Sequence, residues 1–289
     1  MIVENNIPLK RFTTIHIGGN SGKIHFPESL DDILSLSKIL LLPKTLVIGK
    51  GSNIAFSDNG YKFDIVSLSK YVKGKITLFD DNKISVSAGI SCARFAKYCH
   101  KKSISGFEFL HGIPGVIGGA LAMNAGAFNQ SIWNHVESVN VINKKGFIEN
   151  IAGNDINASY RSIDKENILL FLDVILKIDK NKIFDKKILI DFLEYRNRTQ
   201  PIGQWSSGCI FKNPSKKISA SSLIDSLKLK QRKFGGIYIS TKHCNYFIND
   251  GNGSCDDLVQ LINHVTKLVK KKYNIALTKE ICIYRDDHE

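Results

Sequence analysis

The feature that most constrains this chain is a run that is uncharged and crowded with glycine. From Phe109 to Val136 there is no Asp, Glu, Lys or Arg. A membrane-spanning helix wants about 20 mostly apolar residues. This run instead carries five glycines, one proline, three asparagines, one glutamine and two histidines, which argues against a span. Gly112, Gly115, Gly118 and Gly119 fall within eight residues, and Gly126 follows. With no Cβ to hold a ligand off, such a segment can press its main chain against a flat or phosphorylated molecule and donate several N–H groups. The other reading is a close-packed core segment of small residues.

A second glycine motif, Gly49-Lys50-Gly51-Ser52-Asn53, follows an expected strand over 45–48. A dinucleotide fingerprint would need a third glycine and a helix start. Ile54 stands at the third position, and Ala55-Phe56-Ser57 opens no helix. A phosphate-binding turn and an ordinary tight turn both remain open for these residues.

Elsewhere, Ser29 followed by Asp31 and Asp32 predicts a helix start, with an apolar face running to Leu40 before Pro43. Ser91 predicts a cap for a helix ending near Lys101, and alternation predicts strands over 84–88, 136–142 and 168–178. Helical spacing over 256–272 is the clearest in the chain, and shorter elements are expected over 64–68, 222–228, 237–240, 246–249 and 280–284. The mixture lacks a regular strand–helix–strand rhythm, so the expected class is α+β.

The 40 basic and 27 acidic residues leave a formal charge of +13, which favours anionic partners. A non-enzymatic nucleic-acid binder would explain the charge, but the lysines scatter in twos and threes without interleaved aromatics or a binding motif. Cys92, Cys99, Cys209, Cys244, Cys255 and Cys282 show no metal-ligand spacing. The opening MIVENNIPLKRF does not read as a signal peptide. A reduced, cytoplasmic protein without metal, nucleic acid or membrane insertion is expected, and a monomer.

Taken in order, GKGSN, GFEFLHGIPGVIGGALAMNAGAF, SYR, SSGCIFKNP, STKHCNYFIN and LTKEICI resemble the UDP-N-acetylenolpyruvoylglucosamine reductase (MurB) family from about residue 12 to 284. The resemblance implies an FAD-binding fold of the vanillyl-alcohol-oxidase (PCMH) type over 1–190, with subdomains of about 1–68 and 69–190. A C-terminal α+β substrate-binding domain over 191–289 would follow, its last strand returning Glu280 to the flavin site. It implies non-covalent FAD, NADPH as hydride donor, and UDP-N-acetylglucosamine enolpyruvate as substrate. Thr14, Gly49, Lys50, Gly51, Ser52, Asn53, Gly112, Ile113, Pro114, Gly115, Gly118, Gly119, Asn124, Ala125 and Gly126 would then serve the flavin. Arg196, Asn213, Lys242 and His243 would approach the substrate. Another FAD oxidoreductase of the same fold, or a member that binds FAD without reducing substrate, are the alternatives.

By the same resemblance Arg161 and Glu280 match catalytic positions. A planar guanidinium suits a carboxylate or enolate. At the third catalytic position the family places a serine as proton donor, and this chain has Cys209. A thiol, with an ordinary pKa of about 8.5, is a more acidic donor than an alcohol. Alternatively Cys209 is a small buried residue and Ser207 or a water gives the proton. The 47 residues between Arg161 and Cys209 resemble the family form that lacks a tyrosine-bearing loop.

Overall fold

A computed structural model describes residues 1–71, 75–80 and 82–286. They divide into two compact units, one of Met1–Glu4, Lys23–Lys50 and Phe63–Tyr195, the other of Asn5–Gly22, Gly51–Lys62 and Arg196–Glu289.

The first unit holds two sheets. In one, the strands run in the order Ile2–Asn5, Lys23–Phe26, Ile65–Ser67, Leu46–Ile48. Ile65 pairs in parallel with both Ile24 and Leu46, so the chain must cross over between the flanking strands. The crossover is the helical pair Leu30–Ser35 and Ser37–Leu40. The Ser29 hydroxyl accepts from Asp32 N and the Asp32 carboxylate from Ser29 N, a reciprocal cap. The expected single helix is broken at Leu36, whose N–H bonds Ile33 O in a tightened turn.

The second sheet is antiparallel throughout: Ile148–Ala152, Val136–Asn143, Ile168–Lys177, Lys83–Ser87, Ile76–Asp80. Val139, Val174 and Val86 stand side by side in this register and are fully buried. Helix Cys92–Lys101 contributes Cys92, Phe95, Ala96 and Cys99 to the same core, a helical i, i+3, i+4, i+7 stripe.

In the second unit the helix Cys255–Tyr273 buries Leu258, Leu261, Ile262, Val265 and Val269. These pack with Ile237, Ile239 and Phe247 of a three-stranded antiparallel sheet (Lys233–Phe234, Ile237–Ile239, Phe247–Asn249) and with Ile210 and Phe211. Strand Ile54–Phe56 pairs in parallel with Cys282–Tyr284. Helix Lys186–Thr199 was not anticipated, although Ile188, Leu189, Phe192 and Leu193 recur at helical spacing on its less exposed side. The expected helix at 222–228 begins earlier, at Ala220 behind its Ser219 cap, and ends at Asp225. Among the described residues no helix is long and apolar enough to cross a membrane.

Candidate active site

In the first unit the two glycine motifs meet. A Cβ on Gly49 would lie 2.5 Å from Val116 Cγ2, so the turn after strand Leu46–Ile48 can rest on the second motif only because residue 49 has no side chain. The charge-free run makes an antiparallel bridge from Val116 to Ser91 and then turns into the short helix Ile117–Ala122. Ile117 N and Gly118 N donate to Ile90 O and Ala88 O. The two readings of the glycines divide by position. A Cβ on Gly118 would sit 3.0 Å from Ala88 Cβ, which is core packing, while one on Gly119 would meet no heavy atom within 4 Å.

The same run reaches Arg161. Asn124 donates through Nδ2 to Ser159 O at 2.7 Å, and Arg161 donates through Nη2 to Gly126 O at 2.9 Å. The Arg161 guanidinium lies over the Tyr160 ring at 5.4 Å. Arg161 adopts φ 55°, a left-handed conformation costly for a residue with a side chain. Beside it a cavity of about 550 Å³ is lined by Asn124, Trp133, Asn134, Asn154, Asn157 and Ser159.

In the second unit Cys209 follows Gly208, which has φ 77°. Cys209 bridges to Tyr246, and the next residues are clamped on two sides. Asn245 donates to Phe211 O and accepts from Phe211 N at 2.8 and 2.9 Å. Glu280 N donates to Ile210 O at 2.8 Å, and Lys212 N to Thr278 O. The Glu280 backbone is therefore held against the segment that carries Cys209, and both residues are half-buried. Asn53 joins them: its Nδ2 donates to Glu280 O at 3.0 Å, while Cys282 N donates to Asn53 O. Thr14 ties Gly51 O to its own N–H and Ser206 O to its hydroxyl. Gly51, at φ 60°, has no room for a Cβ beneath the Phe12 carbonyl. Thus Thr14, Gly51, Asn53, Cys209 and Glu280 belong to one bonded framework, whereas Gly49, Lys50, the second glycine motif and Arg161 belong to the first unit.

Of the other expected residues, Lys242 donates through Nζ to Asn197 O at the end of helix Lys186–Thr199, which also carries Arg196. His243 is stacked edge-on against Tyr246, and burial holds its pKa below the ordinary imidazole value. Asn213 is exposed, and its Oδ1 accepts from Ala220 N. All six cysteines are free thiols. Burial pushes Cys92 up to about 12 and Cys255 up to about 11, which suits packing rather than reactivity. Among the described residues no group of three or more His, Cys, Asp or Glu could hold a metal.

Comparison with known proteins places these features. Residues 24–152 match an FAD binding domain model, and residues 200–284 match the C-terminal domain of UDP-N-acetylenolpyruvoylglucosamine reductase. The reductase of that name from Legionella pneumophila is 34% identical over 284 residues, covering 97% of this chain and 92% of the relative. The chain belongs to the MurB family. The Nitrosococcus oceani reductase is 32% identical over 96% of this chain. The crystal structure of MurB from Thermus caldophilus superimposes with a TM-score of 0.80 at 26% identity, covering 99% of this chain and all of that one. The α+β reading is thereby made specific: a PCMH-type FAD-binding domain followed by the MurB C-terminal domain.

The residues fit a flavin nucleotide. A glycine turn seated on Val116 of the second motif, with open space over Gly119, suits a flat ligand bearing a pyrophosphate. The sequence reading missed two positioning side chains. Asn245 fixes the segment after Cys209, and its only signal is the STKHCNYFIN string. Asn53 was assigned to the flavin, and its tie to Glu280 spans 227 positions that no local pattern could join.

Proposed function

We propose that Arg161, Cys209 and Glu280 carry the substrate chemistry of a MurB reductase in this chain. The enzyme is a UDP-N-acetylmuramate dehydrogenase of peptidoglycan precursor synthesis and uses FAD and NADPH. Its substrate is UDP-N-acetylglucosamine enolpyruvate. Held by the two glycine motifs, FAD would supply the hydride chemistry that links NADPH to C3 of the enolpyruvyl group. The substrate then carries negative charge on C2 and its carboxylate until C2 receives a proton.

Arg161 stabilises that charge. Its Nη2 is bonded to Gly126 O, which orients the guanidinium before charge develops. Cys209 delivers the proton from Sγ to C2. Glu280 acts through its carboxyl as a proton relay. The observation that carries this reading is the 2.8 Å bond from Glu280 N to Ile210 O, which sets the glutamate main chain next to the residue after Cys209.

The flavin is held non-covalently by Thr14, Gly49–Asn53, Gly112–Gly115, Gly118, Gly119 and Asn124–Gly126. Arg196, Asn213, Lys242 and His243 contact the substrate. We read the chain as the form lacking the tyrosine-bearing loop, monomeric and cytoplasmic, with an FAD-binding region over 1–190 and a substrate domain over 191–289.

The test is a visible absorption spectrum of the desalted protein, followed anaerobically by NADPH and then by the enolpyruvyl substrate. Flavin absorbance should bleach with NADPH and recover with substrate. Bound flavin that the substrate cannot reoxidise would overturn the substrate assignment, and failure to bind added FAD would overturn the cofactor site.

A further inference from the structure

The first unit presents an apolar face that the reaction does not use. Strands Val136–Asn143 and Ile148–Ala152 are joined by a tight turn in which Asn143 and Phe147 pair: Asn143 N donates to Phe147 O, and Gly146 N to Asn143 O. The Asn143 side chain accepts from Lys145 N and Phe147 N, and Gly146 takes φ 81°. Such a turn is rigid, with glycine at its left-handed position. It projects Phe147, 67% exposed, and Ile148, 45% exposed.

The turn does not stand alone. A Cβ on Gly146 would lie 3.4 Å from Ser37 Cβ and 3.8 Å from Leu41 Cδ1, so the turn abuts the end of helix Ser37–Leu40. There Leu41 and Leu42 are 46% and 51% exposed. Two distant segments, each with two exposed large apolar side chains, thus meet at Gly146. Lys38, Lys44, Lys144 and Lys145, all exposed, flank them in sequence. Acidic groups stand by the rim as well: Glu149 follows Ile148 and accepts from Asn143 and Asn167, and Lys144 N donates to Asn167 O, next to exposed Glu166. Asp31 and Asp32 lie on the first turn of helix Leu30–Ser35, with Asp32 paired to the N-terminal amine, so the four lysines outnumber the unpaired acids beside them.

An exposed apolar cluster marks an interaction surface. Its lysine rim selects the occupant. A second copy of the chain would bring the same lysines to a shared face and be repelled, the more so at +13 overall. A surface that is both apolar beneath and anionic above satisfies the aromatic tip and the lysines together. We propose that the face formed by Leu41, Leu42, Phe147 and Ile148 adsorbs reversibly to an anionic phospholipid bilayer, with Lys38, Lys44, Lys144 and Lys145 against the headgroups. No segment spans the bilayer in this arrangement.

The experiment is sedimentation of the FAD-loaded protein with vesicles of phosphatidylglycerol and phosphatidylethanolamine, compared with phosphatidylcholine vesicles. The protein should sediment with the anionic vesicles alone and be released by high salt. The double variant Leu42→Ser/Phe147→Ser and the double variant Lys144→Glu/Lys145→Glu should each weaken binding at least tenfold. Flavin content and turnover in vesicle-free solution should be unchanged, because none of these residues serves the site. Absence of binding to anionic vesicles would overturn the proposal. So would binding undiminished in the apolar variant, which would mean diffuse charge alone. Concentration-dependent dimerisation abolished by Phe147→Ser would give the face to a second copy of the chain and overturn it equally.

Discussion

The proposed reaction offers two candidates for the proton donor at C2, and they differ in burial and bonding. Cys209 is half-buried, in a segment fixed by Asn245 and by Glu280 N. Ser207, two residues earlier, is 3% exposed, and its Oγ has no hydrogen-bond partner among the described residues. A hydroxyl closed off from solvent cannot be reprotonated after each turnover as readily as the half-exposed thiol. Ser207→Ala should therefore leave kcat within severalfold of the parent, measured with saturating NADPH and substrate. Cys209→Ser should stay active and hold its rate to higher pH, because a serine does not ionise where a thiol with an ordinary pKa of about 8.5 does. A pH–rate profile of the two proteins checks this. For Arg161, removal of a stabiliser aimed at developing charge costs on the order of 10²–10³ in rate. Arg161→Ala should show that loss in flavin reoxidation by substrate while bleaching by NADPH proceeds as before.

Whether the element carrying a residue was legible in the sequence depended on how local its cause is. The cap at Ser91 and the apolar stripe behind it lie within ten residues, and the helix Cys92–Lys101 falls where they place it. The long strand over 168–178 was legible from its β-prone composition, and the strand Ile168–Lys177 falls within that run. Helix Lys186–Thr199 left only a short trace, the spacing of Ile188, Leu189, Phe192 and Leu193, because it buries Leu189 alone fully and half-buries the rest of that side. The glycines were legible as a class but not one by one: Gly118 and Gly119 are neighbours in sequence and opposite in surroundings. Gly118→Val should therefore destabilise the fold by about 1–3 kcal/mol through overpacking against Ala88. Gly119→Val should keep its unfolding midpoint and lose FAD on desalting, read from the flavin-to-protein absorbance ratio. In the second unit, Asp58 accepts from Cys255 N and Asp256 N at the start of helix Cys255–Tyr273, beside the Ser254–Asp257 capping box. Asp58→Ala should cost about 1 kcal/mol in urea unfolding. Its partner lies 197 positions away, which is why the sequence showed the helix and not its anchor.

At the scale of the whole molecule, burial sets how stability answers to pH. Burial is the main cause that holds His135 and His243 below the ordinary imidazole value of 6.5. The unfolded chain takes up protons at these positions near 6.5, and the folded chain only at lower pH. Their contribution is complete above 6.5 and is lost as the pH falls through the folded values. The thermal midpoint should fall between pH 7.5 and 5.5. His135→Gln should make that fall shallower, which separates it from Asp173, whose carboxyl burial pushes upward and which acts in the opposite sense. The family could be recognised from the ordered motifs along nearly the whole chain, because each motif preserves a local backbone shape. The grouping of 5–22 and 51–62 with 196–289 could not, because it rests on pairings such as Ile54 with Cys282 that local sequence does not announce.

The measurement that bears most directly on the reaction is anaerobic single-turnover absorbance with Cys209→Ala. Bleaching of the flavin by NADPH should match the parent. Reoxidation by UDP-N-acetylglucosamine enolpyruvate should slow by about 10²–10⁴-fold, the loss expected for a missing general acid. Reoxidation at the parental rate would contradict the assignment and return the proton to Ser207 or to water.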